Sequence, residues 1–269
     1  MSSYRRVSTS AIAMQPIGAS NIWPNSAPAI HARYAILIDA RSGRTLFQKN
    51  ADIHTPVAST QKLITALLVI EKGNLDASIP IHREDTRVEP MKLNLHAGDH
   101  YTRRTLLNAM LVASMNDAAE ILGHDVAGSH TTIGPAMTRF ARSLGAYDSR
   151  FVNATGLPAA QYSTARDMAR IAWRAYHDTT LRKIVCQPTY LFQYANNRTQ
   201  LLEATNVLVR SSSLYNGLKT GYTLASGRCL IASASQNGRA FILVQLGSET
   251  RYIFRDAESI IAWAFRNSL

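Results

Sequence analysis

No apolar run in this 269-residue chain approaches the eighteen residues that a membrane-crossing helix needs, so no transmembrane segment is expected. Cysteine is scarce. Cys186 and Cys229 stand far apart, in neither a CxxC pair nor a metal-ligand spacing. Cys229 falls in the apolar run Cys-Leu-Ile-Ala and reads as a core residue, and nothing supports a disulfide. The eight histidines are scattered and make no HExxH or comparable pattern, so neither a metal site nor a cofactor is expected. No run of Lys or Arg exceeds two residues, and no zinc-finger or RNP signature is present. Nucleic acid is therefore not an expected partner, although the net charge is +11 and the pI about 9.9. A surface of that sign suits acidic envelope polymers or anionic headgroups. Lysine is also rare: six lysines stand against 23 arginines. Lysine can lose its proton when buried and arginine cannot, so a lysine inside a catalytic-looking motif carries extra weight here.

The composition is that of a globular protein, with 46% apolar and 17% charged residues, and the length suits one catalytic unit of two lobes. Residues 1–32 offer Arg5-Arg6 as a charged start but no adequate apolar stretch after it. They are set apart as a leader remnant, a mis-assigned start or a disordered arm, leaving residues 33–269 as the catalytic domain. Tyr34-Ala-Ile-Leu-Ile-Asp39 and Thr45-Leu-Phe-Gln48 flank a Gly-containing turn and predict a hairpin. Helical spacing follows from Ser59 to Glu71, with Gly73 as its cap, and again over 105–112, 117–127, 133–144 and 164–176. Residues 188–194 predict a strand. Asn237-Gly238 between two apolar runs is a strong hairpin signal, and residues 256–266 close the chain as an amphipathic helix. Strands at both ends and helices between them, roughly over 75–185, predict an α+β fold, not alternating βαβ units.

Three short motifs carry the chemistry. In Ser59-Thr-Gln-Lys62 a spacing of three places hydroxyl and amine one helical turn apart, where a neutral lysine can act as base for a serine nucleophile. Ser114-Met-Asn116 lies between two predicted helices and supplies a second hydroxyl for proton relay and an amide for hydrogen bonding. In Lys219-Thr-Gly221 the glycine lets a strand approach a ligand, while the lysine and hydroxyl suit a terminal carboxylate. Each motif alone is explained as well by a helix cap or a turn. Together, and in this order, they correspond to the S-x-x-K, S-D-N and K-T-G set of penicillin-binding proteins and class A β-lactamases, with Met115 in the middle of the second.

From about Tyr34 to Phe265 the chain resembles the serine D-Ala-D-Ala carboxypeptidases, the low-molecular-mass penicillin-binding proteins. The likeness extends to Phe151-Val-Asn-Ala-Thr-Gly-Leu-Pro158, Tyr162-Ser-Thr-Ala-Arg-Asp-Met-Ala169, Gly217-Leu-Lys-Thr-Gly-Tyr-Thr223 and Arg255-Asp-Ala-Glu-Ser259. Met115 stands where the family usually has Gly or Ala, and Ser-Thr-Gln-Lys where it usually has Ser-Leu-Thr-Lys. The resemblance implies a β-lactamase/transpeptidase-like fold, an antiparallel sheet flanked by helices with a mostly helical second lobe. It also implies that Ser59, Lys62 and Ser114 are catalytic and that Asn116, Lys219, Thr220, Gly221, Tyr222 and Arg255 bind substrate. The backbone N–H groups of Ser59 and Tyr222 would form an oxyanion hole. The implied substrate is a peptidoglycan stem peptide ending in D-Ala-D-Ala, with β-lactams as covalent inhibitors and an extracytoplasmic location. The C-terminal β-rich domain and anchor helix of many relatives are expected to be missing.

Other activities share the motifs. A class A β-lactamase deacylates through a glutamate-held water between the second and third motifs, yet no glutamate occurs from Ile121 through Leu202. A DD-endopeptidase acting on cross-links has the same motifs. A non-catalytic penicillin- or peptidoglycan-binding protein would not need the intact Ser59, Lys62 and Lys219.

Overall fold

The structure, a computed structural model, describes residues 27–267. Its centre is a five-stranded antiparallel sheet in the order β2-β1-β9-β8-β7. The strands are β1 (Tyr34–Asp39), β2 (Thr45–Lys49), β7 (Tyr215–Thr223), β8 (Gly227–Gln236) and β9 (Arg239–Ser248). Chain ends thus meet in one sheet, β1 pairing with β9 from Tyr34 opposite Leu246 to Asp39 opposite Phe241. The β8–β9 turn is tight because Asn237 and Gly238 both take positive φ, +52° and +75°, which matches the twist of the flanking strands. Phe241 to Leu246 are all buried and, apart from Gln245, apolar, so β9 does not alternate between a buried and an exposed face. The cause is packing on both faces, by α5 (Ala165–Tyr176) and by α8 (Ile253–Asn267).

The helical region lies between β2 and β7. A 3₁₀ turn, Ala58–Gln61, runs into α1 (Lys62–Lys72), whose neighbours are α2 (Arg103–Val112), α3 (Asn116–Ala127), α4 (Ile133–Ser143) and α5. Surrounded on most sides, α1 buries Lys62, Leu63, Ile64, Thr65, Ala66, Leu67 and Val69. Two small sheets attach to this region: β3 (Ser78–Pro80) with β4 (His100–Thr102), and β5 (Thr189–Gln193) with β6 (Thr199–Glu203). The short helices α6 (Thr179–Val185) and α7 (Leu208–Ser211) flank β5 and β6 in the chain. No helix among the described residues is long and apolar enough to cross a membrane.

The expected domain start at residue 33 falls inside packed structure. Ile30 and Ala32 are buried. His31 donates its backbone N–H to Asp256 Oδ2 at 2.6 Å and stacks on Tyr252 with ring centroids 3.5 Å apart. The remainder of the expected arm, residues 1–26, lies outside the described residues. The last helix also begins earlier than its apolar periodicity suggests, at Ile253.

Candidate active site

Ser59 does not open an α-helix. It sits in the 3₁₀ turn, and Lys62 is the first residue of α1. A 3₁₀ helix has three residues per turn, so positions i and i+3 eclipse. That geometry brings Lys62 Nζ to 2.9 Å from Ser59 Oγ. The same nitrogen lies 3.4 Å from Ser114 Oγ and 2.6 Å from Asn116 Oδ1. Ser114 links α2 to α3 with φ +64°, a left-handed conformation that a serine adopts at a cost of about 1–2 kcal/mol. The strain turns a polar side chain into the interior, where Ser114 is 5% exposed. Asn116 uses both ends of its amide: Oδ1 accepts from Lys62, and Nδ2 donates to the Pro90 carbonyl at 2.6 Å. Its carboxamide thus ties Lys62 to the chain at Pro90.

Lys62 has no exposed surface. Burial holds its pKa well below the ordinary lysine range, and the nearby charge of Lys219 adds to the effect, against Glu120 and Asp117. Lys219, 1% exposed on β7, is pushed down to about 7 by burial and donates to the Thr220 carbonyl at 3.0 Å. Thr220 Oγ1 donates to Thr205 Oγ1 at 2.6 Å.

Two glycines let the chain close around Ser59. A Cβ on Gly221 of β7 would lie 2.8 Å from Ser59 N, so only glycine lets this strand run against the 3₁₀ turn. A Cβ on Gly156 would lie 2.2 Å from the Ala58 carbonyl oxygen and 2.7 Å from Ser59 N. Gly156 belongs to the loop whose Thr155 carbonyl accepts from Ser59 Oγ at 3.2 Å. Asn153 shapes that loop, its Oδ1 accepting from Gly156 N at 2.8 Å and Thr155 N at 3.2 Å. Gln61, the third residue of the first motif, donates to the Asn153 carbonyl at 2.7 Å and ties the loop to the turn.

Above Ser59 opens a cleft of about 270 Å³, lined by Ser59, Ser114, Thr205, Thr220, Gly221, Tyr222 and Arg228 among others. Cys229 contributes to its floor as a buried free thiol, and Cys186 is free and exposed. The expected residues Ser59, Lys62, Ser114, Asn116, Lys219, Thr220, Gly221 and Tyr222 therefore converge. Arg255 does not line the cleft. It is exposed in the first turn of α8, beside Ile253 and Phe254, which do. Arg228 supplies the cationic side chain in the wall, its guanidinium 4.5 Å from the Tyr222 ring centroid. Sequence reasoning passed over Arg228, Thr205 and Thr155; the first two lie outside the motifs, and Thr155 acts through its backbone.

Comparison with known proteins gives this geometry a family. The family model described as D-alanyl-D-alanine carboxypeptidase matches residues 22–250. The chain belongs to that family. The D-alanyl-D-alanine carboxypeptidase DacC of Escherichia coli is 32% identical over 89% of this chain, which spans 62% of DacC. A D-alanyl-D-alanine endopeptidase of Pseudomonas aeruginosa is 32% identical over 85% of this chain and 76% of its own length. Among solved structures, a D-alanyl-D-alanine carboxypeptidase from Mycobacterium tuberculosis superposes with a TM-score of 0.87 at 26% identity, over 93% of this chain and 97% of that one. A penicillin-binding protein of Listeria monocytogenes in a cefotaxime-bound form gives 0.78 at 29% identity, over 90% of this chain and all of that one. The α+β class expected from the order of elements, and the transpeptidase-like fold implied by the family resemblance, are thus observed, and the carboxypeptidase family is a family of serine peptidases.

Proposed function

We propose that this protein is a serine DD-peptidase that removes the terminal D-Ala from peptidoglycan stem peptides through an acyl-enzyme on Ser59. The observation that carries the reading is a fully buried lysine, 2.9 Å from one serine hydroxyl and 3.4 Å from another. Buried beside a second lysine, Lys62 is disposed to be neutral and to take the Ser59 proton as Ser59 Oγ attacks the penultimate D-Ala carbonyl. The oxyanion would be met by the backbone N–H groups of Ser59 and Tyr222, which Gly221 brings together. Ser114 would carry the proton from Lys62 to the leaving D-Ala nitrogen, and Asn116 would hold Lys62 in register. Lys219 and Thr220 would receive the terminal carboxylate, with Arg228 as the cation in the cleft wall. Water then hydrolyses the ester, whereas a β-lactam leaves its acyl group in place. One catalytic unit does this work, and residues 27–32 are part of it. Peptidoglycan as substrate implies an extracytoplasmic location.

Relatives named D-alanyl-D-alanine endopeptidase favour a second reading, cleavage of cross-links between stems. Labelling with a fluorescent penicillin tests the shared chemistry: wild type should label and Ser59→Ala should not. An unlabelled wild type would overturn the reading. D-Ala released from a pentapeptide supports the carboxypeptidase; cleavage of cross-linked muropeptides alone supports the endopeptidase.

A further inference from the structure

One cluster of ionisable side chains plays no part in this chemistry. Asp85 lies in the 3₁₀ turn Arg83–Arg87 with its carboxylate 1% exposed. Oδ1 is 3.0 Å from His124 Nδ1 and 2.8 Å from His130 Nε2, and the three ligand atoms lie within 4.8 Å of one another. Asp85 Oδ2 accepts the His82 backbone N–H at 2.8 Å. No Lys or Arg pairs with Asp85 among the described residues; besides that backbone N–H, the groups that meet this buried carboxylate are the imidazoles of His124 and His130. His130 Nε2 is enclosed and, despite the short distance, makes no hydrogen bond among the described residues. Its Nδ1 lies 2.8 Å from Glu120 Oε2.

We propose that Asp85, His124 and His130 form a binding site for a divalent transition-metal ion of the zinc type. Two imidazoles and one carboxylate are a borderline-soft donor set with room for a fourth, solvent ligand. Bonds of about 2.0–2.1 Å in a tetrahedron put donors about 3.3 Å apart, so the two carboxylate–imidazole spacings need open by only a few tenths of an ångström, and the two imidazole nitrogens already lie within 4.8 Å of each other. Glu120 holds the non-ligating nitrogen of His130, the outer-shell carboxylate that fixes tautomer and ring orientation in such sites. The ion would join the 83–87 turn to α3 and to the loop after it. α3 reaches the active site through Asn116, its first residue, whose N–H and Nδ2 bond the carbonyls of Met91 and Pro90 in the chain that follows the 83–87 turn. The spacing along the chain is long and irregular, which is why no sequence pattern announces the site.

Chelator-treated protein titrated with Co²⁺ should bind one equivalent with visible d–d bands, and Zn²⁺ should compete and raise the melting temperature. Glu120→Gln should weaken Co²⁺ binding about 10–100-fold, and His130→Gln by more. Exposed His96→Gln should leave it unchanged. Absence of saturable one-to-one binding, or equal affinity in a folded His124→Gln/His130→Gln variant, would overturn the proposal and leave a hydrogen-bonded Asp–His cluster.

Discussion

Gly156 offers a direct test of how the Ser59 turn is held. Its φ is +87°, and a Cβ there would sit 2.2 Å from the Ala58 carbonyl oxygen and 2.4 Å from its carbon. An alanine would bear about 1–2 kcal/mol of backbone strain. The overlap adds about 1–3 kcal/mol, because ordinary contact requires the Ala58–Ser59 peptide to retreat by about 1 Å. A loss of about 2–5 kcal/mol lowers the melting temperature by on the order of 10 °C in a protein of this size. Displacing a nucleophile by about 1 Å costs about 100-fold in rate. Gly128→Ala is the control. Its φ is +80°, but a Cβ there meets nothing within 4 Å, so it carries the strain without the clash. Thermal unfolding and the second-order rate of labelling by a fluorescent penicillin would be measured for both variants. Gly156→Ala should label about 100-fold more slowly and melt well below Gly128→Ala, which should label at the wild-type rate. Labelling of Gly156→Ala within about threefold of wild type, or equal melting losses in both variants, would refute the argument.

Other expectations follow from the same geometry. Acylation should rise with pH until Lys62 is fully deprotonated, starting well below the ordinary lysine range, and Lys62→Arg should remove both the rise and most of the rate, as read by penicillin labelling across pH. Lys219 sits at about 7 in the folded protein against 10.5 when unperturbed, so the unfolded chain binds more protons between those values and stability climbs with pH across that window. In Lys219→Met that part of the climb should vanish, and the variant should melt above wild type at pH 7 and below while losing peptidase activity. Ser114→Ala and Ser114→Gly should both lose about 10²–10⁴-fold in turnover, but the glycine variant should be the more stable by about 1 kcal/mol because it relaxes φ +64°. Arg228→Ala should raise KM for a peptide with a free terminal carboxylate more than for its amide; equal effects on both would exclude a carboxylate contact.

The legible and illegible parts of the fold divide along physical lines. Segments whose periodicity is imposed by one buried face, such as α5, or by turn chemistry, such as Asn237-Gly238, were predicted within a few residues of where they lie. The elements α6, α7 and β6 were missed. They are short, and β6 is mostly exposed, so neither periodicity nor composition marks them. The three motifs identify the side chains of the site because residue type and spacing encode chemistry. They do not encode the backbone that completes it. The 3₁₀ turn at Ser59, the left-handed Ser114 and the Thr155 carbonyl depend on long-range packing. For the same reason the position of Arg228 in the cleft wall, and of Arg255 on the exposed side of α8, is a tertiary fact that adjacency in sequence conceals.

Cys229, in the floor of the cleft, stands opposite Gly221 in the β7–β8 register, close to where an acyl group would dwell. A thiolate there would be a rival acceptor for that acyl group. Burial pushes the Cys229 thiol up to about 11, so at neutral pH it stays protonated and inert. Its reactivity is therefore locked to the integrity of the sheet: in a Cys186→Ser background, the rate of modification by a thiol reagent becomes a clock for strand separation beside the active site.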